Sequence, residues 1–143
     1  MKQLIGVILI ACAFGSCKQD AASSEAASIS TPGSNALTTI EWIEPKKELG
    51  TINEGQKLQI NFHLKNTGNA PLVLQSVVPG CGCTVADFPR EPIAPGKEAD
   101  ITASFDSKGR EGQQHKQITV TANTKETSQH MLSFNVMVVK GKS

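Results

Sequence analysis

The chain has 143 residues, which is enough for one domain of the usual size. Its 14 Lys and Arg residues nearly balance its 13 Asp and Glu residues. This balance argues against a nucleic-acid-binding protein, because such proteins normally carry a basic surplus on one face. We therefore predict a mixed, solvated charge surface.

The first residues have the pattern of a secretory signal. Met1 and Lys2 give a short basic start, and an apolar run broken only by Gly6 extends over residues 4–14. This run is too short to span a bilayer comfortably, since about 20 apolar residues are needed. We predict that residues 1–16 are a cleaved signal peptide. Cleavage would remove Lys2 and leave 13 basic and 13 acidic residues.

A cysteine stands at the predicted cleavage site. Gly15-Ser16-Cys17 resembles the lipobox of bacterial lipoproteins, in which the cysteine is diacylated and becomes the first residue. Leu9-Ile10-Ala11-Cys12 fits that consensus better letter by letter, but it would leave an apolar core of about five residues against the roughly 7 to 15 expected. We therefore favour lipidation of Cys17, with Cys12 or an unmodified secreted protein as alternatives. Two or more acyl chains would anchor the protein stably to a membrane.

A segment of low apolar content follows the predicted lipid site. Residues 18–36 contain five Ala and five Ser, with Ile29 as the one large apolar side chain. Such a segment cannot bury enough apolar surface to offset its ordering entropy. We predict that residues 17–36 are a lipidated cysteine and a disordered tether, whose root-mean-square reach would be about 25 Å.

From Leu37 onward, apolar and polar residues alternate, which is typical of half-buried strands. The alternation is clear in residues 57–65, 98–106, 118–122 and 132–138, and less regular in residues 39–43 and 72–78. Gly, Asn and Pro stand between these runs at positions suited to turns. No run of ten or more residues has a helical apolar stripe. We predict that residues 37–143 form an all-β, Ig-like antiparallel sandwich of about seven strands, with Trp42 as a core or edge aromatic.

Four blocks in this region resemble a known family. They are Asn66-Thr67-Gly68-Asn69-Ala70-Pro71-Leu72, Cys81-Gly82-Cys83-Thr84, Pro92-Ile93-Ala94-Pro95-Gly96-Lys97 and Phe105-Asp106-Ser107-Lys108-Gly109. Together and in this order they resemble the bacterial domain of unknown function 1573, with a looser similarity to Hydin-type Ig-like domains. Many members of the first family are secreted proteins or lipoproteins of Gram-negative bacteria. The resemblance implies an Ig-like fold and an envelope location, and it implies no established activity.

The pair Cys81 and Cys83 is the one candidate chemical site. On an extended segment, both side chains would point to the same face. A disulfide would suit an oxidising compartment, but in an extended strand these residues lie near or beyond the usual Cα separation, so a kink would be needed. The alternatives are two packed, reduced cysteines, thiol–disulfide chemistry, or a soft-metal site, since paired thiolates suit Cu(I) or Zn(II).

Further ligands for such a metal would have to be histidines. A closed zinc site needs four ligands, and only His63, His115 and His130 could add nitrogen. Each histidine has a simpler interpretation as a solvated side chain, with His63 on the polar face of its strand and His115 and His130 at strand edges near loops. We predict no cofactor, with Cu(I) as the alternative.

No enzyme signature accompanies these residues. Gly-x-Ser-x-Gly, a phosphate-binding glycine loop and His-Glu-x-x-His are all absent from the sequence. We predict a non-enzymatic, lipid-anchored envelope protein, placed by resemblance at the outer membrane of a Gram-negative bacterium. Its expected partner is an envelope protein or a glycan, bound for example at an exposed sheet edge, and not a nucleic acid. The alternative is a periplasmic copper-binding or thiol-redox protein.

Overall fold

The computed structural model describes residues 36–141, in which strands are the only regular elements. The predicted signal peptide, Cys17 and the tether up to residue 35 lie outside the described residues. The eight strands are β1 Ile40–Ile43, β2 Lys46–Asn53, β3 Lys57–Asn66, β4 Leu74–Pro79, β5 Thr84–Asp87, β6 Glu98–Asp106, β7 Gly112–Ala122 and β8 Gln129–Val139. None of the described residues belongs to a helix long and apolar enough to cross a membrane.

The strands form two four-stranded sheets. One has the order β1-β3-β6-β5 and the other the order β2-β8-β7-β4. Every pairing is antiparallel except that of β2 with β8, which is parallel. The prediction of an all-β, Ig-like sandwich is confirmed, with one mixed sheet in place of the expected antiparallel one.

Two strands were missing from the sequence prediction of about seven. The first is β2, whose sequence of two lysines, a glutamate and a central glycine hides its alternation. The chain enters β2 from β1, an edge strand of the opposite sheet, through Glu44-Pro45. Because β1 and β2 are in different sheets, they form no hairpin, and β2 pairs with β8 in parallel. The second is β5, which is only four residues long. In addition, β7 begins at Gly112, six residues before the first apolar position of the predicted strand.

The core lies between the sheets and is made from the alternating positions that the sequence indicated. Phe105 of β6 and Phe134 of β8 meet across it edge to face, with ring centroids 5.6 Å apart. Phe62 is fully buried beside them in the same cluster. The predicted inward residues are all buried except Leu58, which is partly exposed: Ile60, Phe62, Leu64, Ile101, Ala103, Phe105, Ile118, Val120, Ala122, Leu132, Phe134, Val136 and Val138.

The sandwich has two lateral sides, and the chain crosses from one sheet to the other at each. On the first side, Glu44-Pro45 joins the edge strands β1 and β2; we call this the charged side, because β1 and β2 contain Glu41, Lys46, Lys47 and Glu48. On the second side, residues 80–83 join the edge strands β4 and β5; we call this the cysteine side.

Candidate functional site

Cys81 and Cys83 lie in the turn that carries the chain from one sheet to the other on the cysteine side. They form a disulfide whose Cα atoms are 5.4 Å apart. The chain is not extended here, because residues 80–83 bend between β4 and β5. Glycines on both sides of Cys81 permit this bend. The kink that the disulfide requires is therefore supplied by the change of sheet.

Backbone hydrogen bonds attach the cysteine turn to both sheets. The Gly80 amide donates to the Gln117 carbonyl of β7 at 2.9 Å. The Cys83 carbonyl accepts from the Asp106 amide of β6 at 3.1 Å. A Cβ atom at Gly80 would lie 3.3 Å from the same Gln117 oxygen, so this close approach favours glycine. The disulfide therefore fixes a corner whose two ends are already held by different sheets.

The three candidate nitrogen ligands are far from equivalent. His63 lies on the outer face of the β1-β3-β6-β5 sheet and contacts Asp100. His130 packs on Trp42, with ring centroids 5.9 Å apart, and its Nε2 lies 2.8 Å from the Thr124 hydroxyl. Burial lowers the pKa of His130 from its usual value of 6.5. Neither residue is brought to the cysteine turn.

His115 is the histidine that the fold brings to the cysteines. Together with Gly80, Cys81, Lys116 and Gln117 it lines a shallow depression of about 290 Å³. The prediction that His115 stands at a strand edge near a loop is wrong, because β7 extends back to Gly112 and includes it. Within residues 36–141, no three His, Cys, Asp or Glu side chains converge as a metal site would require.

Trp42 fills an edge position of the core, as predicted. Its side chain is partly buried against the core cluster, beside His130. The indole Nε1 is buried and has no hydrogen-bond partner among the described residues. The ring is therefore a packing element rather than an open platform for a ligand.

The Asn66 block has a structural role. The fully buried Asn66 side chain donates to the carbonyls of Ala70 and Ile93 at 2.8 and 2.9 Å, and its Oδ1 accepts from the Thr38 hydroxyl and the Gly68 amide at 2.8 and 3.1 Å. All four of its hydrogen-bonding positions are thus used to hold two loops and the start of the domain.

The remaining blocks complete the same kind of structure. A Cβ atom at Gly68 would lie 2.1 Å from the Thr38 hydroxyl oxygen, so only glycine fits there. The Gly96 amide donates to the Asn66 carbonyl at 2.8 Å, which joins the block of residues 92–97 to the block of residues 66–72. The buried Ser107 hydroxyl donates to the Gln56 carbonyl at 2.7 Å. Three of the four blocks therefore hold loops together, and the cysteine block fixes a corner.

One group of polar residues was missed by the sequence prediction. Gln117, His115, Asn135 and Glu48 form a hydrogen-bonded chain on the outer face of the β2-β8-β7-β4 sheet. They come from three strands that are distant in sequence, so no local motif contains them. The sequence held no local signal for them either, because residues 112–117 of β7 contain no apolar residue and alternate only in their burial.

Comparison with solved structures supports the fold assignment. A protein of unknown function from Porphyromonas gingivalis is 16% identical, with a TM-score of 0.64, and the match covers 77% of this chain and 51% of that one. The chain thus spans about half of that protein. The PapD-like domain 7 of human CEP192 is 11% identical, with a TM-score of 0.55 over 74% of this chain and 89% of that one.

A secreted serine protease, VesC from Vibrio cholerae, is 16% identical, with a TM-score of 0.55 over 75% of this chain and 24% of that one. At these identities each likeness concerns the fold alone. No curated protein matches the sequence. The family model described as a protein of unknown function, DUF1573, matches residues 40–138. This match covers well over half of the chain and includes all four sequence blocks, so the chain belongs to the DUF1573 family.

Proposed function

We propose that this protein is a non-enzymatic, membrane-tethered binding module of the cell envelope, and that it binds an extended segment of another envelope protein along the edge of β5. The single observation that carries the proposal is the difference between the two sides of the sandwich. One side has charged edge strands, whereas the other is nearly uncharged. Exposed edge strands are templates for pairing with another chain unless charge, proline or a bulge blocks them.

The strand β5 is the least protected of the four edges. Within the described residues it pairs with β6 alone, and its first three residues, Thr84, Val85 and Ala86, carry no charge. Val85 is 69% exposed, the largest exposed fraction among the large apolar side chains described. Its partner across the ladder is Ser104, which places Val85 on the outer face of the sheet. An added strand could therefore form a backbone ladder and cover this side chain.

The other edges carry features that discourage pairing. β2 opens with Lys46, Lys47 and Glu48, and its register with β8 shifts after Glu48. β4 also has a register shift and ends at Pro79, which cannot donate a hydrogen bond. β1 carries Glu41 at its second position, whereas the one charged residue of β5, Asp87, stands at its end. These devices are those that natural sheets use against edge-to-edge association.

Attachment to the membrane is part of the proposal and rests on the sequence. Lipidation of Cys17 would hold the domain at the membrane through a tether of residues 18–36. The Cys17→Ala variant should lose the lipid and move to the soluble fraction or stall as a precursor, whereas Cys12→Ala should stay anchored. Metabolic labelling with a fatty-acid analogue measures this directly. Labelled lipid on the Cys17→Ala protein would contradict the assignment.

A photo-crosslinking experiment tests the edge. A photoreactive amino acid is placed at Val85 on β5 or at Ile43 on β1; both are exposed apolar residues on short edge strands, 69% and 46% exposed. In intact envelopes, the Val85 probe should give a discrete protein adduct, and the Ile43 probe should not. In the protein that carries the Val85 probe, Ala86→Pro should weaken partner capture, because proline opposes strand addition. Equal adducts from both edges would contradict the proposal.

The second candidate function is copper handling, which the position of His115 beside Cys81 favours. It requires reduction of the disulfide, since thiolates and not a disulfide bind Cu(I). Native mass spectrometry of the reduced protein with Cu(I) tests it, with Cys81→Ser/Cys83→Ser as the control. One Cu(I) retained by the reduced wild type and lost in both that variant and His115→Ala would make copper handling the leading function.

A further inference from the structure

The outer face of the β2-β8-β7-β4 sheet contains a polar groove that strand addition at β5 would not use. It has a volume of about 550 Å³ and crosses three neighbouring strands. Its residues come in two rows that follow the register of the sheet. In one row Gln117 pairs with Ser133, which pairs with Lys46. In the other, His115 pairs with Asn135, which pairs with Glu48 on the neighbouring strand.

The second row is held in place by directed hydrogen bonds. The Asn135 amide donates to a Glu48 carboxylate oxygen at 2.5 Å, which leaves Asn135 Oδ1 as an acceptor. His115 Nδ1 lies 2.6 Å from that Oδ1, so Nδ1 carries the proton. His115 Nε2 is then free to accept from the Gln117 amide at 3.3 Å. These hydrogen bonds hold the exposed side chains of the row in place before any ligand arrives.

The floor of the groove holds a hydroxyl that the fold does not use. Ser133 lies on the outward side of β8 but is only 9% exposed, because the longer side chains around it cover it. Its side-chain oxygen makes no hydrogen bond with another residue in the range 36–141. The hydroxyl is nevertheless open to solvent, since Trp42 Nε1 is the one buried polar side-chain atom without a partner within these residues. It can therefore exchange water for a ligand group. Ser133 therefore offers an inward anchor for a polar group that enters the groove.

The groove favours one class of ligand. Its hydrogen-bonding groups are amide, imidazole, hydroxyl, carboxylate and ammonium, which together donate and accept as ligand hydroxyls do. Lys46 and Glu48 balance in charge, so neither an anion nor a cation is favoured. The groove runs across the strands and exposes no strand edge, so a peptide would gain no backbone ladder here. Met131, 57% exposed, supplies an apolar surface at its border.

We propose that this groove binds a neutral, hydroxyl-rich ligand, an oligosaccharide of the envelope, with Ser133, Asn135 and Gln117 as its polar contacts. His115 holds Asn135 and Gln117 in place, and Met131 lies against the C–H face of a sugar ring. The groove runs across β7, β8 and β2, and three strands at about 4.8 Å spacing give it a length of about 10 Å. His115 and Gln117 also line the depression at the cysteine turn, so the groove continues toward β4. This length suits a short oligosaccharide. With no aromatic platform, binding should be weak, with Kd of about 1 mM.

Nuclear magnetic resonance on the purified full-length protein tests this site. The probes are the trisaccharides of glucose and of N-acetylglucosamine. The expected result is saturable change in the side-chain amide signals of Asn135 and Gln117 with at least one of them. Ser133→Val, which removes a contact, and His115→Ala, which releases Asn135 and Gln117, should each weaken this binding about tenfold, the equivalent of one hydrogen bond. Valine is well suited to a strand, so Ser133→Val should remain folded.

The matched control is His63→Ala, which removes an exposed, hydrogen-bonded histidine from the outer face of the other sheet. It should bind the trisaccharides as the wild type does, and so should Val85→Lys, because β5 belongs to the other sheet. If His115→Ala lost binding while Ser133→Val retained it, the Ser133 hydroxyl would not contact the ligand, and the proposal would be overturned. Signal changes that do not saturate, or that persist unchanged in both groove variants, would also overturn it.

Discussion

The two sides of the sandwich solve the same topological problem with different chemistry. On the charged side the chain changes sheet through Glu44-Pro45, where Glu44 has φ +54° and its carboxylate lies 2.9 Å from the Lys47 ammonium. On the cysteine side the chain changes sheet through residues 80–83, closed by a disulfide. A positive φ is unfavourable for a residue with a side chain, so the first corner depends on its surroundings. The second corner is held covalently.

This difference has a consequence for the edges that the corners join. Charged residues protect β1 and β2 from pairing with another chain, and within the described residues they leave Ile43 as the one large apolar side chain exposed on these two strands. The disulfide allows β4 and β5 to be held in place without charged side chains. The cysteine side can therefore present an ordered edge whose one charged residue, Asp87, stands at the end of β5. If the two sides are independent, a change that loosens one side should leave the edge strands of the other protected.

The largest expected effect comes from the core that both sides share. Phe62→Ala or Phe134→Ala should each lower the free energy of unfolding by about 3–5 kcal/mol, because both rings are fully buried. Amide hydrogen exchange should then accelerate in β1 and β5 together. Val85→Ala, at an exposed position, is the control and should change stability by less than about 0.5 kcal/mol. Loosening of only one side in the core variants would show that the sandwich is not one cooperative unit.

The next effect should be local to the charged side. Asn66 pairs with Ile40 of β1, and its side chain makes four hydrogen bonds. Asn66→Ala leaves these partners unsatisfied in a buried place, which should cost about 3 kcal/mol in denaturant unfolding. Exchange should rise first in β1 and the 66–72 loop, with β5 still protected. Asn61→Ala, on the exposed face of β3, is the matched control and should be nearly neutral.

The corresponding test of the cysteine side is the removal of its disulfide. A closed loop of about three residues restricts the unfolded chain only slightly, so Cys81→Ser/Cys83→Ser should cost about 1.5 kcal/mol. Exchange should rise in β5 and leave β1 unchanged. Wild-type protein treated with a thiol reductant should behave in the same way. If reduction leaves β5 as protected as before, the backbone bonds from Gly80 and Cys83 hold the corner, and the disulfide has another purpose.

Much of this fold could be predicted because its core strands alternate clearly. In β3 and β6 the apolar residues occupy every second position, and all of those positions proved inward. β2 and β5 escaped prediction for physical reasons. An edge strand needs only one buried row, and β5 is so short that its row consists of Thr84 and the half-buried Ala86. The parallel pairing of β2 was not predictable, since it depends on the sheet change at Glu44-Pro45.

The candidate sites were less predictable than the fold. The cysteines could be identified from sequence, but the kink that their disulfide needs could be stated only as a condition, because it depends on which strands lie in which sheet. The groove could not be found at all from local patterns, because His115, Asn135 and Glu48 meet only through the register of β7, β8 and β2. Conversely, the Asn66 and Ser107 blocks stood out in the sequence because they hold loops together.

The smallest expected effect is a pH dependence on the charged side. His130 lies against Trp42 of β1, and burial lowers the pKa of its imidazole from 6.5. The unfolded chain therefore takes up a proton at a higher pH than the native protein does. Stability from this residue is complete above about pH 6.5 and falls as the pH decreases toward the native pKa. The loss should be small, since the ring is partly exposed and solvent screens its charge.

Unfolding of the wild type and of His130→Gln, compared between roughly pH 7.5 and pH 5.5, measures this contribution. The difference in stability between the two proteins should shrink as the pH falls, because glutamine does not take up a proton. Amide exchange in β1 should rise over the same pH range in the wild type, because His130 packs on Trp42 of that strand. Exchange in β5, on the cysteine side, should stay unchanged. Parallel stability curves would mean that His130 titrates alike in the folded and unfolded chain.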